Sequence, residues 1–173
     1  MFEMASAISL LLPVNFNTHK VKNMSKMFKG VNTLPNSNVI SFTSNVNDFS
    51  EIFADSNINW VIGDWDTSNA INMGRMFYNN QQFNQDISQW DVKKVNNMEY
   101  MFYNAISFNS DLSLWNTRRV KKMNSMFQSA TGFRKDISKF DLSSIQNMTA
   151  MFHLTGDDYF NELLSSPASF YPQ

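Results

Sequence analysis

The sequence QDISQWDVKKVNNMEYMFYNAISFN, residues 85–109, shows the unit that decides the fold. Its Met-Phe pair ends at Phe102, and an equivalent phenylalanine recurs at almost constant intervals along the 173-residue chain. These anchors are Phe2, Phe28, Phe53, Phe77, Phe102, Phe127 and Phe152, and their numbers differ by 26, 25, 24, 25, 25 and 25 in turn. Such regularity indicates a tandem repeat.

Other apolar residues keep a fixed distance from these anchor phenylalanines. Twelve residues before five of the anchors lies a large aromatic: Phe16, Trp65, Trp90, Trp115 or Phe140. Valine or isoleucine commonly lies seven residues before, and methionine or phenylalanine four before. The consensus is M-F-x-x-A-x-x-F-x-x-D-I-S-x-W-D-V-x-x-V-x-x-M-x-x-M-F. Because one such unit cannot bury its apolar face alone, we predict that equivalent side chains stack into continuous columns.

Two elements are predicted within each unit. Val95, Met98, Met101 with Phe102, and Ala105 recur at three and four residues, which is typical of one face of a short helix or helical turn. Asp91, like Asp66, Asn116 and Asp141, is a good N-cap residue before that stripe. The stretch 86–92 reads as a short strand, with a bulge because Ile87 and Trp90 are three apart.

These elements together predict a repeat solenoid. Each coil has one short parallel strand and one short helix or helical turn, and there are about six to seven coils in all. Strands stack about 4.8 Å apart and helices need roughly 8 to 10 Å, so the stack is expected to curve. Residues 1–155 form this single domain, with 36–60 as a variant coil, and 156–173 a C-terminal cap and extended tail.

The same residues resemble a known family. The stretch 85–109 is similar to the tandem repeats, each of about 25 residues, of mycoplasma surface lipoproteins, which also occur in protists and large DNA viruses. These repeats resemble the BspA-like branch of leucine-rich repeats, whose core corresponds to residues 95–105. The resemblance implies a leucine-rich-repeat-like solenoid on a cell surface or particle, without catalytic residues.

Composition excludes several functions. Fourteen basic and 15 acidic residues leave no strong electrostatic footprint for nucleic acid. Cysteine is absent, which excludes disulfides and thiolate chemistry. The opening 16 residues carry Glu3 in place of a basic region, and their apolar run is too short to cross a bilayer. We therefore expect no signal peptide, no direct membrane insertion, no catalytic or metal site, no cofactor and no small-molecule ligand.

Two surface features are candidates for binding. Asp86, Asp111 and Asp136 of the Asp-Ile-Ser column either accept hydrogen bonds from their own serines and turn amides or share a cation. A basic patch forms the second candidate, because cations cluster between the Trp and Met columns of two adjacent coils, with tyrosines beside them. The possible contact residues are Lys93, Lys94, Tyr100, Tyr103, Arg118, Arg119 and Lys122, with Lys121 beside them.

These features favour a non-catalytic protein–protein interaction or adhesion module of the surface-protein type. Its expected partners are proteins or a multi-subunit assembly, and its location is the cell surface or extracellular space if the chain is a fragment. The alternative is a structural component, such as a minor capsid or cement-like protein of a virus particle or cytoplasmic assembly. The missing signal peptide favours that alternative.

Overall fold

The computed structural model describes residues 17–32 and 42–155. Within these ranges the chain forms no helix and no extended strand, and its only ladder is a row of isolated parallel bridges. Each bridge joins equivalent residues of consecutive units, in the order Asn23, Asp48, Asn72, Asn97, Lys122 and Asn147. The anchor Phe2, the aromatic Phe16, residues 36–41 of the variant coil, and the cap and tail at 156–173 lie outside the described residues.

The core consists of aromatic rings stacked from one unit to the next. The anchors from Phe28 to Phe152 are fully buried, and consecutive rings have centroids 5.5, 5.6, 5.7 or 5.9 Å apart. Trp90 stacks between Trp65 and Trp115 in a second column, with centroid distances of 6.4 and 6.5 Å. Burying each such side chain contributes roughly 1.5–3 kcal/mol. The predicted apolar columns are therefore confirmed.

Turns replace the predicted helix. Tyr100 and Asn104 have φ angles of 55° and 54°, in the left-handed region that an α-helix cannot contain. The amides of Met101 and Tyr103 donate to carbonyls three residues back. The intervening amides of Tyr100 and Phe102 donate to carbonyls of the next unit, at 2.9 and 2.8 Å. The three- and four-residue spacing thus reflects successive turns whose alternate amides point along the stack.

The predicted strand at 86–92 is also wrong. The amide of Trp90 donates to the carbonyl of Ile87 at 3.2 Å, which closes a turn where a bulge was predicted. The parallel bridges lie instead between the Val and Met columns, for example at Asn97. Ile87 and Trp90 are both buried, because a turn places its first and last residues on the same side.

The leucine-rich-repeat-like solenoid of strand-plus-helix coils is therefore a wrong prediction. The predicted curvature also loses its basis, since the described residues contain no helix layer to space the units apart. Consecutive units are built from turns, and each is hydrogen-bonded to the next. The predicted N-caps serve these turns: the Oδ1 atoms of Asp66, Asp91, Asn116 and Asp141 accept hydrogen bonds from the amide two residues later, at 2.9–3.2 Å.

The unit of Phe53 departs from the consensus but packs in the same columns. Phe49 and Ile52 are fully buried at positions where other units carry Met. Trp60 contacts both Phe28 and Phe53 edge-on, with centroid distances of 5.1 and 5.7 Å. Its indole adds aromatic contact area beside an anchor that has no aromatic twelve residues before it.

Candidate interaction surface

The turns place exposed residues at fixed positions in every unit. In the unit of Phe102, the amide of Val95 donates to the carbonyl of Val92 at 2.9 Å, and both side chains are buried. Lys93 and Lys94, between them, are exposed. Residues with the same offset from their anchor therefore form exposed columns along the stack, beside the buried ones.

The basic residues identified from the sequence lie on such columns in two adjacent units. Lys93, Lys94, Arg118, Arg119, Lys121 and Lys122 are all exposed. The Lys93 Nζ atom pairs with Asp91 Oδ2 at 2.6 Å, and Lys94 Nζ donates to Asn69 Oδ1 at 2.6 Å. Three of these cations line one open cleft of about 390 Å³, which we call the basic cleft. The residues that line it are Ile71, Lys94, Asn96, Arg119, Lys121 and Ser144.

Tyr100 and Tyr103 belong to a different cluster. Their rings are half-buried, with centroids 5.9 Å apart, and Tyr103 stacks on Tyr78 at 4.8 Å and 9°. The Arg75 guanidinium carbon lies 4.8 Å from the Tyr100 centroid and 5.6 Å from that of Tyr78. A cation over an exposed ring contributes about 0.5–1 kcal/mol. We call these four residues the tyrosine–arginine cluster.

The structure thus divides the sequence-predicted patch into two surfaces. The cation over Tyr100 is Arg75 of the preceding unit, whereas sequence analysis placed Tyr100 and Tyr103 beside Lys93 and Lys94. Arg75 and Tyr78 were missed, although the repeat contains their signal. Arg75 and Tyr100 have the same offset from their anchors, as do Tyr78 and Tyr103, so the members of each pair share an exposed column.

Internal ion pairs cover the surface on the other side of Arg75. The Lys29 Nζ atom lies 2.6 Å from Glu51 Oε2 and 3.9 Å from Asp55 Oδ2, and Lys26 lies 3.9 Å from Glu51. Burial raises the pKa of Glu51, but the hydrogen bond and charge of Lys29, with Lys26 and Arg75, lower this pKa further than burial raises it. Glu51 is therefore ionised and paired, and this part of the surface is electrostatically compensated.

The Asp-Ile-Ser column is built from turn hydrogen bonds. Asp86, Asp111 and Asp136 accept bonds from the amides of Ser88, Ser113 and Ser138 at 2.9, 2.9 and 2.8 Å. These backbone hydrogen bonds, followed by the serine side chains, hold the pKa of each carboxyl below its usual value. Across 17–32 and 42–155, no three His, Cys, Asp or Glu side chains converge as metal ligands. The arrangement fits the hydrogen-bonded alternative.

Comparison with known proteins places the chain in a family. The model of the family described as "Mycoplasma protein of unknown function, DUF285" matches twice, over residues 1–59 and 49–166. The chain belongs to this family. No curated protein and no solved structure matches the chain. Membership agrees with the predicted mycoplasma repeat family and is consistent with a surface protein.

In this DUF285 chain, the exposed columns vary while the anchor column does not. The position eight before the anchor reads Lys20, Asn45, Asn69, Lys94, Arg119 and Ser144, whereas every described anchor is phenylalanine. The residues that differ between units thus lie on the surface, beside a constant anchor column. A search of the described part of the chain finds no helix with the length and apolar character of a membrane span.

Proposed function

We propose that this chain is a non-catalytic protein–protein interaction or adhesion module of the surface-protein type. It binds through the exposed columns of its stacked units. The observation that carries this proposal is the tyrosine–arginine cluster. Tyrosine and arginine concentrate where the binding energy of protein interfaces is greatest. Here three half-buried tyrosines and an exposed arginine lie together on one surface.

The geometry of the cluster reduces the entropic cost of binding. Tyr78 and Tyr103 fix one another by stacking, and Arg75 lies over Tyr100. Side chains that are already ordered lose less conformational freedom when a partner docks. Their backbones are also fixed, since the amides of Arg75 and Tyr100 donate to carbonyls of the next unit at 2.8 and 2.9 Å. The cluster is thus a rigid contact surface.

Membership of the Mycoplasma family supports a location on the cell surface, where such a module meets other proteins. We also propose, from the spacing of residues 95–105, a distant relationship to the BspA-like repeats. That relationship concerns ancestry and the use of a repeated surface for binding. The turn-built units stand apart from the strand-plus-helix fold of that branch.

The experiment uses photo-cross-linking next to the cluster. Gln128 follows Tyr103 in the same column and is half-buried like it, so a benzoylphenylalanine at position 128 reports on a partner docked there without removing a cluster residue. The labelled chain is incubated with intact mycoplasma cells and with cultured animal cells, and then irradiated. A discrete protein adduct that excess unlabelled protein abolishes is expected from one of these surfaces.

Matched variants separate binding from folding. Arg75→Ala/Tyr100→Ala is expected to remove the adduct, whereas Gln89→Ala/Lys139→Ala, at two exposed positions outside the cluster, keeps it. Unfolding midpoints of both double variants confirm that each is folded. An adduct of equal yield from both, or no competed adduct at all, contradicts the proposal. Stoichiometric recovery of the protein in purified particles instead supports the alternative, an assembly component.

A further inference from the structure

The basic cleft concentrates cations that its columns lack in neighbouring units. Eight residues before the anchor, successive described units carry Lys20, Asn45, Asn69, Lys94, Arg119 and Ser144. Six before, they carry Lys22, Asn47, Ile71, Asn96, Lys121 and Gln146. Lys94 thus meets Arg119 and Lys121 across one boundary between units, and Lys93, Arg118 and Lys122 flank them. The columns themselves do not require charge, since half of the described units fill both positions with neutral side chains.

Within residues 17–32 and 42–155, carboxylates compensate this cleft only in part, since Asp66 and Asp91 lie near enough to attract Lys94 without forming an ion pair with it. Lys94 donates to the neutral amide of Asn69, and across 17–32 and 42–155 neither Arg119 nor Lys121 enters an ion pair. Lys29 shows the contrast, because Glu51 lies 2.6 Å from it on the other surface. Like charges in adjacent units repel. An anionic ligand relieves that repulsion.

The backbone holds the cations in place before any ligand arrives. The Asn97↔Lys122 bridge spaces the two units by about 4.8 Å. The carbonyl of Asn96 accepts the amides of Lys121 and Lys122, at 2.9 and 3.4 Å. The positions from which the basic side chains extend are therefore fixed, and little backbone order remains to be gained on binding.

The lining of the cleft suits a carboxylate on a short aliphatic side chain. The planar guanidinium of Arg119 matches a carboxylate with two parallel N–H donors. The Asn96 amide and the Ser144 hydroxyl supply further donors, and Ile71, 43% exposed, offers an apolar contact. Glutamate combines such a carboxylate with two methylenes. No aromatic ring lines the cleft for base stacking.

We propose that the basic cleft binds a short glutamate-rich segment of a protein partner. This inference rests on the proposed function as an interaction module and names the chemistry of the partner at one surface. The cleft supplies the charge, and the fixed boundary between units supplies its position.

The test is an NMR titration of the isotope-labelled full chain with a ten-residue peptide of alternating Glu and Ser, capped at both ends. Chemical shifts of the Asn96, Lys121 and Ser144 amides are expected to move, and the same peptide with Gln for Glu is expected to leave them unchanged. Arg119→Gln/Lys121→Gln should raise the dissociation constant of the Glu peptide about fivefold. The control Lys20→Gln/Lys22→Gln removes two charges from the same columns in a unit whose neighbour carries Asn45 and Asn47. It should change the dissociation constant less than twofold.

Other outcomes overturn the inference. Equal binding of the Gln peptide, shifts centred elsewhere, or equal weakening by the two double variants rejects an acidic-segment site. Tighter binding of a single-stranded DNA oligomer at the same amides assigns the cleft to polyanions instead. Cross-linking at position 128 is measured alongside. If the adduct forms but the Glu peptide does not bind, this inference alone is rejected. If neither the adduct nor peptide binding is observed, the proposed function is rejected too.

Discussion

The rings of Phe77 and Phe102 lie parallel within 4°, with centroids 5.5 Å apart, although they belong to different units of the repeat. Phe127 repeats the relationship on the other side of Phe102, at 5.5 Å. Phe102 is thus enclosed by rings from both neighbouring units. Its removal opens a cavity in the middle of the stack.

We predict that Phe102→Ala lowers the free energy of unfolding by about 3–5 kcal/mol, the usual cost of emptying a buried phenylalanine site. Phe102→Leu, which keeps most of the volume, should cost less than half as much. Urea denaturation followed by tryptophan fluorescence measures both. Equal, small losses for the two variants would show that the column contributes little.

Trp90 combines stacking with a hydrogen bond. It is 3% exposed, and its Nε1 donates to the Ile62 carbonyl at 3.1 Å. Trp90→Ala is expected to cost about 3–5 kcal/mol. Trp90→Phe keeps a ring but loses this bond, while the Ile62 carbonyl still accepts the amide of Trp65 at 3.1 Å. The lost bond should therefore cost only about 0.5–1.5 kcal/mol. Calorimetric midpoints of both variants check the order; a midpoint unchanged in Trp90→Ala contradicts the buried column.

Sequence periodicity alone predicted the apolar columns, because the burial of a side chain in a stacked repeat depends on its distance from the anchor phenylalanine. The elements between them could not be predicted in the same way. A stripe such as Val95, Met98, Phe102 and Ala105 fits both a helix and successive turns, and the two differ in backbone angles. Two positive-φ positions recur per unit. The position two after the anchor carries Gly30, Asp55, Asn79 or Asn104, residue types that tolerate this region, but also Ser129 and Leu154. The position two before the anchor carries residue types that give no such signal: Lys26, Glu51, Arg75, Tyr100, Ser125 and Ala150.

Ala150 tests the turn architecture directly. Its φ is 56°, its side chain is exposed, and a left-handed conformation costs an L-residue about 1–2 kcal/mol. Ala150→Gly removes that cost but adds freedom to the unfolded chain, so a net gain of about 0.5–1 kcal/mol is expected. Ala130→Gly, at a buried position outside the positive-φ set, should instead destabilise. Urea midpoints that fall for both variants would count against the turns.

The Asp-Ile-Ser column predicts a pH dependence. Hydrogen bonds from the amides of Ser88, Ser113 and Ser138 lower the pKa of Asp86, Asp111 and Asp136 in the folded state. A carboxyl whose pKa is lower in the folded state stabilises the fold fully at pH values above its pKa in the unfolded chain, about 3.9. That stabilisation is lost as the pH falls through the pKa of the folded state. Unfolding midpoints should therefore fall below pH 4. The triple Asp→Asn variant keeps an Oδ1 acceptor at each turn and should show a flatter profile; identical profiles would rule out this origin.

The surfaces were harder to predict than the core, because adjacency across units depends on how the columns run. Tyr100 and Tyr103 were found from one unit, but Arg75 and Tyr78 contact them only through the stack. The basic residues lay together in the sequence and remain neighbours, since a bridge joins their units at Asn97 and Lys122. Sequence proximity therefore identified the basic cleft, and only the structure separated it from the tyrosines.

The positive charge concentrated in the basic cleft should have a cost that stability measurements detect without a ligand. Arg119 and Lys121 extend from a unit whose neighbour carries Lys94, and like charges about 4 Å apart in water repel by about 1 kcal/mol. Arg119→Gln/Lys121→Gln should therefore raise the free energy of unfolding by up to about 1 kcal/mol at low salt, on the order of 10 mM. The gain should fade at 1 M salt, where the screening length is about 3 Å.

The control variant Lys20→Gln/Lys22→Gln, beside Asn45 and Asn47, should give little gain in stability at either salt concentration. Loss of stability in the cleft variant at low salt would mean that unseen favourable contacts hold these cations, and the case for an acidic partner would weaken accordingly.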